Sequence, residues 1–423
     1  MVSKKSGSGR GGNPPRQPPE TLPGLELVER EEREPTMEDE LRQAVRTALR
    51  SREPMDLLAL VSGLVAILDP RSAGAFETSG EAQPQQRELV DALIGQSSVE
   101  STAVLTVMKT LIADDLLRSR ISRELLGRRH QLPPWLPALE HATLDEEVWR
   151  ITYALGDDDV YLCGLRLPTG YGITAVIYVD ILQGGVVDDV QIAPEPLDEL
   201  LPEIRAGLDQ DRSIDRFDPA TARVILSAAV ELGSDTTESP ESESWPMSRP
   251  VIEWMLRMLP AGGTAPAGAE WSERDTARLA DAFFASPYGA DLADHDHRGL
   301  LQNLLWYGTQ YGIGDPLRWS ESAAQILLLD WFPRKVLAEP DFLVQLPDLL
   351  RAYVRFAHDR SGIRAGLTDL VLARIDEVEP AYRQRILSTR STPHEMLSAL
   401  LGAQGVDAGA LGRLGLTLSL IHI

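Results

Sequence analysis

The sequence predicts a mainly α protein with a small α+β part, in which a helical N-terminal domain and a helical C-terminal domain flank a small sheet. Apolar residues recur at spacings of three and four over most of the chain, as in amphipathic helices. Between Val148 and Ala193 the period changes to two, which is typical of strands. The connections between these strands are short and therefore predict antiparallel pairing, since parallel strands need long crossovers.

The N-terminal part divides into a leader and a helical domain. Residues 1–35 are rich in Gly, Pro, Ser and charged residues, and they predict a disordered leader with too few apolar groups to bury. Residues 36–132 are predicted to be helical. They open at Thr36-Met-Glu-Asp39, where a threonine is followed three residues later by an acid, as at a capped helix start. The stretch MDLLALVSGLVAIL (55–68) is apolar almost all round and predicts a buried helix.

Residues 145–233 are predicted to form an acidic α+β domain. Four alternating stretches predict a four-stranded antiparallel meander: VWRITYAL, VYLCGLRL, GITAVIYVD and VVDDVQIA. A helix over 196–208 follows. A second helix opens at Asp218-Pro219, an N-cap residue followed by proline at the first helical position.

The C-terminal part is helical. Residues 234–244 are polar and acidic and predict a linker, and residues 245–390 predict a helical domain. We find no fixed repeat of about 30–50 residues, which argues against a solenoid. Residues 391–423 form a tail. Its last residues, SLIHI, resemble a translated sequencing-adapter fragment, so we expect them not to be native.

The charge of the chain is concentrated in its middle. The formal net charge is −23, and residues 133–244 hold 23 acids against 6 arginines, a net charge of −17. Such a segment repels polyanions, so we expect no nucleic-acid binding. It attracts a basic protein or a divalent cation, and a basic protein is the partner that we predict. The alternative is that the charge serves only solubility.

Other features of the composition bear on location. The single cysteine, Cys163, excludes an intrachain disulfide and a multi-cysteine zinc site. No run of about 18 apolar residues occurs, so we expect no membrane partner. The N-terminus is basic but no apolar run follows it, unlike a secretory signal. These features favour a cytoplasmic protein and leave its oligomeric state open.

The stretch ADHDHRG (293–299) interleaves two histidines with two aspartates and could be taken for a metal site. It precedes an amphipathic helix, and Asp294 lies where an N-cap residue belongs. His295 and His297 are two residues apart, so in a helix they point to different sides and do not share a metal ion. We interpret the stretch as a capped helix start.

The stretch VIYVDILQGGVVDDVQI (176–192) holds the most specific candidate site. A two-residue turn at Gly184-Gly185 would place Asp180 directly opposite Asp189. Alternation would also put Asp188 on the apolar face of its strand, where an acid is unexpected. These three aspartates are the candidate ligands for a divalent metal ion, which is the only cofactor that the sequence suggests. The alternative is a solvated hairpin end whose register is shifted by one residue.

Three further features favour a structural role. Asp157-Asp158-Asp159 lacks the alternating spacing of a calcium loop and predicts a hairpin turn. Cys163 lies in mid-strand and predicts a small buried side chain. A group of aromatic residues predicts the core of a helical bundle, with a ligand pocket as the alternative: Trp306, Tyr307, Tyr311 and Trp319. No nucleophile, base and orienting group can be assembled from local spacing, so no catalytic residue is assigned.

Three stretches resemble parts of a set of uncharacterised proteins predicted in high-GC actinobacteria. They are DLLALVSGLVAILDPRS (56–72), VIYVDILQGGVVDDVQIAPEPLDEL (176–200) and a segment, 314–382, that begins GDPLRWSESAAQILLLDWF. The resemblance covers most of residues 38–385. It implies a shared organisation, and it implies no activity, cofactor or catalytic residue.

Two functions follow from these observations. The first is a non-catalytic interaction or scaffold protein that holds another protein through the acidic domain or a helical groove. The second is a metal-dependent, hydrolase-like enzyme whose site includes Asp180, Asp188 and Asp189. Convergence of these carboxylates in a closed cleft favours the enzyme, and their exposure to solvent favours the scaffold.

Overall fold

A computed structural model describes residues 36–388, except residues 52, 70, 72–85, 236–243, 266, 267, 269 and 337. The predicted leader, the tail 391–423 and most of the predicted linker 234–244 lie outside the described residues. Residues up to Ala44 and residues from Val45 onward form two compact units. All tertiary packing considered below lies within the second unit.

The part of the chain before the sheet is helical, as predicted. Its helices are α1 (Met37–Ser51), α2 (Pro54–Ile67), α3 (Gln86–Gly95), α4 (Val99–Leu111), α5 (Asp115–Gly127) and α6 (Trp135–Ala138). Helix α1 begins at the predicted cap, where the backbone N–H of Asp39 donates to the Thr36 hydroxyl at 3.3 Å. Most of α2 is buried, because apolar residues lie on nearly all of its sides.

One antiparallel sheet follows, built from β1 (Thr143–Tyr153), β2 (Asp158–Arg166), β3 (Gly172–Asp180), β4 (Val186–Ala193) and β5 (Arg212–Phe217). Its strand order is β4-β3-β2-β1-β5, so the first four strands form the predicted meander. The sequence does not predict β5, because its residues RSIDRF are mostly charged or polar. A strand at the edge of a sheet tolerates such residues, since it has a neighbour on one side only.

Helices cover both faces of the sheet. Helix α7 (Leu197–Gly207) packs against β2 and β3. Leu197 shares a small apolar core with Trp149, Ile151, Val160 and Leu162. Helices α8 (Pro219–Asp235) and α9 (Trp245–Met258) pack against β1 and β4. In the central strands, residues on both faces of the sheet are buried. Successive side chains of a strand point to opposite faces, so α8 and α9 form a second layer that covers the face opposite α7.

The remaining helices form a bundle around one apolar core. They are α10 (Glu273–Phe284), α11 (His295–Gln310), α12 (Glu321–Ile326), α13 (Phe332–Lys335), α14 (Pro340–Leu343), α15 (Leu346–Ser361) and α16 (Ala365–Ser388). A π-helical segment, Leu327–Trp331, joins α12 to α13. The mainly α fold with a small antiparallel sheet is therefore confirmed. Within the described residues, none of the helices is both long and apolar enough to cross a membrane.

The sheet and the bundle share core residues. Leu155, in the β1–β2 turn, is 2% exposed and belongs to the apolar core of the bundle. Close by, Arg318 Nη1 donates to the carbonyl oxygen of Ala154 at 2.9 Å. The Arg364 guanidinium also donates two hydrogen bonds to the Asp211 carboxylate. Helix α9 packs against α2 and α4, so elements that the sequence assigns to three domains touch one another. The domain boundaries themselves stay a prediction.

Candidate functional site

The β3–β4 connection differs from the predicted two-residue turn. It spans residues 181–185, and its two glycines have φ values of 87° and 85°, which favour glycine. The Asp180 carboxylate accepts hydrogen bonds from the Gln183 backbone N–H at 3.0 Å and from Gln183 Nε2 at 2.9 Å. Asp180 therefore stabilises the turn and lies opposite Val186, not opposite Asp189.

A β-bulge changes the register of β4. Val179 lies opposite Val187, and Tyr178 lies opposite Asp189, so Asp188 is the extra residue of the bulge. Asp188 is exposed, while the two valines before it are buried. The predicted position of Asp188 on the apolar face is thus wrong, because the bulge breaks the strict alternation on which the prediction rests.

The three predicted metal ligands lie near one another but have different surroundings. The Asp189 carboxylate accepts a hydrogen bond from the Ser244 hydroxyl at 2.6 Å. Partial burial raises the pKa of Asp188, and the negative charges of Asp180 and Asp189 raise it further. Neither Asp180 nor Asp188 forms an ion pair with a described residue. In the described part of the chain, no three His, Cys, Asp or Glu side chains are grouped so that they could hold a metal ion. The metal site stays a hypothesis.

Asp157, in the β1–β2 turn, has the most perturbed carboxyl of the sheet domain. Its Oδ1 atom is buried and accepts no hydrogen bond from the described residues. Burial raises the pKa of Asp157 to about 6. A hydrogen bond from the Ser320 hydroxyl opposes this shift, and the nearby charges of Asp158 and Asp180 add to it. The sequence predicts a turn over Asp157–Asp159, but only Asp157 lies in the connection, because Asp158 and Asp159 begin β2. The sequence gives no sign of the burial of Asp157, which comes from the helical bundle packed against the turn.

Asp158 has the opposite kind of environment. Its two oxygens accept hydrogen bonds from Arg212 of β5 at 2.7 and 3.2 Å. The same guanidinium lies over the Tyr153 ring, 5.0 Å from its centroid. These paired hydrogen bonds connect β5 to β2 across β1, and the guanidinium balances the charge of Asp158. It also shows why a site drawn from sequence alone misses Arg212, since β5 is not predicted.

A continuous acidic segment begins in β4 and runs through α7. Residues 188–209, here called the β4–α7 segment, contain seven acids and one arginine. Six of the acids are exposed: Asp188, Glu195, Asp198, Glu199, Glu203 and Asp209. Among described residues, Asp198 alone of these six forms an ion pair, which it makes with Arg166. The segment therefore presents its negative charge to solvent.

The other candidate residues have structural roles. Asp294 caps α11 by accepting a hydrogen bond from the His297 backbone N–H at 3.0 Å, which confirms the helix start in ADHDHRG. Cys163 is buried, as predicted, and burial raises the pKa of its thiol to about 12. Of the four aromatic residues, Tyr307 and Trp319 are buried in the bundle core, whereas Trp306 and Tyr311 are 39% and 43% exposed. The predicted bundle core is thus confirmed for two of the four.

No known protein family, curated protein or solved structure matches the chain. Its function has to be inferred from the chemistry of its own side chains. Those of the sheet domain offer exposed carboxylates on one segment and a single largely buried carboxyl at the junction with the bundle.

Proposed function

We propose that the protein is a non-catalytic interaction protein, and that its β4–α7 segment binds a basic segment of a protein partner in the cytoplasm. One observation carries this proposal. The sheet domain has an excess of acids, and its few arginines are already held by neighbouring groups. Its exposed carboxylates therefore have few internal cations to pair with, and they attract cations from outside.

Each of the six arginines in residues 133–235 is engaged. Four form ion pairs: Arg150 with Asp159, Arg166 with Asp145 and Asp198, Arg212 with Asp158, and Arg216 with Glu147. Arg205 lies over the Trp149 ring, and Arg223 donates to the Leu259 carbonyl oxygen at 2.7 Å. Apart from Arg166, these pairings leave the acids of the β4–α7 segment untouched.

The spacing of the free acids suits a polybasic chain. Glu199 and Glu203 are four residues apart on α7 and therefore lie on one side of that helix. Glu195 and Asp188 precede them along the chain and are also exposed. An exposed ion pair contributes only about 0.2–1 kcal/mol, so several must act together. We expect binding that is fast, moderate in affinity and strongly weakened by salt.

The proposed test uses a fluorescein-labelled decaarginine peptide as a probe and fluorescence anisotropy as the measurement. The test variant carries Glu195→Gln, Glu199→Gln and Glu203→Gln. The control variant carries Glu88→Gln, Asp359→Asn and Asp369→Asn, which remove three exposed acids elsewhere and leave the same net charge. We expect the test variant to bind about tenfold more weakly than the control, because three exposed pairs together are worth about 1–2 kcal/mol.

Two results would overturn the proposal. Equal affinity of the two variants would mean that the peptide responds to net charge and not to the segment. An affinity that does not change with salt would exclude ion pairing as its source.

The enzyme hypothesis is tested separately by thermal unfolding. Calcium, magnesium, manganese or zinc is compared with EDTA, since an ion that binds the native state raises the unfolding midpoint. A rise of several degrees that disappears in Asp180→Asn would make the hairpin carboxylates a metal site and favour a metal-dependent hydrolase. The observation that supports this second function is the proximity of the three carboxylates: after partial burial, the charges of Asp180 and Asp189 raise the pKa of Asp188.

A further inference from the structure

A cluster of arginines lines a cavity to which the β4–α7 segment contributes no residue. The cavity has a volume of about 300 Å³ and lies among the ends of α2 and α4 and the helices α8 and α9. Arg71, Arg223 and Arg257 line it, together with Glu231 and Glu253. Three guanidinium groups around one small cavity are unexpected in a protein with 64 acids and 41 basic residues.

The three arginines differ in whether a carboxylate forms an ion pair with them. Arg71 forms ion pairs with Asp69 at 2.7 Å and with Glu253 at 2.8 Å, so its charge is balanced. Arg257 and Arg223 form no ion pair with a described residue. Their side chains donate hydrogen bonds to backbone carbonyl oxygens, which do not cancel a full positive charge, and the Glu253 carboxylate attracts Arg257 without forming an ion pair with it.

The hydrogen bonds of these two arginines use only part of each guanidinium. Arg257 Nη2 donates to the carbonyl oxygens of Thr110 and Leu111, at 3.0 and 3.1 Å, where α4 ends. Arg223 Nη1 donates to Leu259 just beyond α9. A guanidinium has five N–H donors in a rigid plane. The described residues therefore leave several donors of each group available, while the carbonyl contacts fix its orientation beside the cavity.

We propose that this cavity is a binding site for a small metabolite with a carboxylate or phosphate group, which Arg223 and Arg257 hold through paired hydrogen bonds. Guanidinium groups match the geometry of both oxyanions, and pairs of this kind are stronger than neutral hydrogen bonds. The volume fits a small molecule and is too small for a protein segment of several residues. This inference does not depend on the proposed protein partner, because different residues carry it.

The alternative is that both arginines serve only to cap helix ends, and a ligand titration separates the two. Thermal unfolding of the full chain is followed with inorganic phosphate, with malonate, and with sodium chloride at the same ionic strength. We expect phosphate or malonate to raise the unfolding midpoint by several degrees beyond chloride, and by more in the wild type than in Arg257→Lys, because such anions also stabilise folded proteins without binding a site. A response to phosphate alone identifies a phosphate ligand, and a response to malonate alone identifies a carboxylate. No rise beyond chloride with either anion would overturn the inference.

Conservative variants then locate the site by calorimetric titration of the anion that binds. Arg223→Lys and Arg257→Lys keep the charge and a donor for the carbonyl contacts but lose the planar fork. We expect each to weaken binding by tenfold or more. Arg374→Lys is the control, because Arg374 lies on the surface of α16 and pairs with Glu377. Circular dichroism identifies any variant that does not fold, and the other variant then decides. Unchanged binding in a folded Arg223→Lys or Arg257→Lys variant would contradict the assignment.

Discussion

Two titratable residues, the partly buried Asp157 and the fully buried His358, act on stability in opposite directions. The pKa of Asp157 is raised to about 6, mainly by burial, so the folded state binds a proton that the unfolded state has lost. The pKa of His358 is lowered to about 4 by burial, against a hydrogen bond to the Trp319 carbonyl oxygen. As the pH falls from about 6.5 to about 4, Asp157 adds stability and His358 removes it. Neither pKa shift can be predicted from the sequence, because each arises where separate elements pack against one another.

We predict that Asp157→Asn stabilises the protein at pH 7.5 and has little effect near pH 4. At pH 7.5 the wild-type carboxylate is charged and partly buried, which costs about 2–3 kcal/mol at about 1.4 kcal/mol per pK unit. Near pH 4 it is protonated and resembles asparagine. Urea unfolding at several pH values measures the difference. Asp215→Asn, at an exposed position on β5, serves as control and should change stability by less than about 0.5 kcal/mol at every pH.

The same variant should also reveal His358. Without the opposing contribution of Asp157, the free energy of unfolding should fall more steeply between pH 6.5 and pH 4 than it does in the wild type. A variant whose pH profile runs parallel to that of the wild type would show that Asp157 titrates normally in the folded state.

At the scale of elements, the sequence predicts the strands and helices that have a regular apolar pattern. It does not predict features that depend on packing against neighbouring elements. The meander and the helices are predicted because alternation and helical spacing are properties of each segment alone. Strand β5 is missed because it pairs with β1 through the backbone and contributes mainly Ile214 to the core. The bulge at Asp188 is not predicted, because a run of valines and aspartates does not determine which residue lies outside the strand pairing.

Gly164 in β2 shows how closely α7 packs on the sheet. A Cβ atom at this position would lie 2.9 Å from the Leu197 Cβ atom and 2.1 Å from an Asp145 carboxylate oxygen. A glycine inside a strand commonly marks such a close approach. We therefore predict that Gly164→Ala destabilises the protein by about 1–3 kcal/mol, as overpacking does elsewhere.

Urea unfolding of Gly164→Ala is compared with that of Gly207→Ala, at the end of α7, where a Cβ atom meets nothing within 4 Å. The control should be neutral or slightly stabilising, because alanine favours a helix over glycine. Equal stability of the two variants would mean that α7 is not packed against β2 as described.

At the scale of the whole molecule, the chain from Val45 onward is held together by contacts between parts that the sequence presents as separate. Leu155 places a sheet turn inside the bundle core, and α9 packs against α2 and α4. Periodicity cannot predict such contacts, since it reports which face of an element is apolar and not which element covers it. The charge distribution can be counted directly from the sequence, because it depends on composition and not on which elements are in contact.

We predict that Leu155→Ala lowers the stability of the sheet and the bundle together. Removing a fully buried leucine side chain costs about 2–5 kcal/mol, because a cavity remains. Differential scanning calorimetry should show one transition that moves to lower temperature. Two transitions, of which only one moves, would indicate that the sheet and the bundle unfold independently.

The most direct test of the proposed function is a map of where a basic ligand binds. Amide hydrogen exchange is measured by mass spectrometry with and without decaarginine at low salt, on the full chain. We predict slower exchange in peptides from residues 188–209, with little change in those from α10 to α16. Protection that is spread evenly over the acidic surface, or that lies outside residues 188–209, would contradict the assignment of the β4–α7 segment as the binding site.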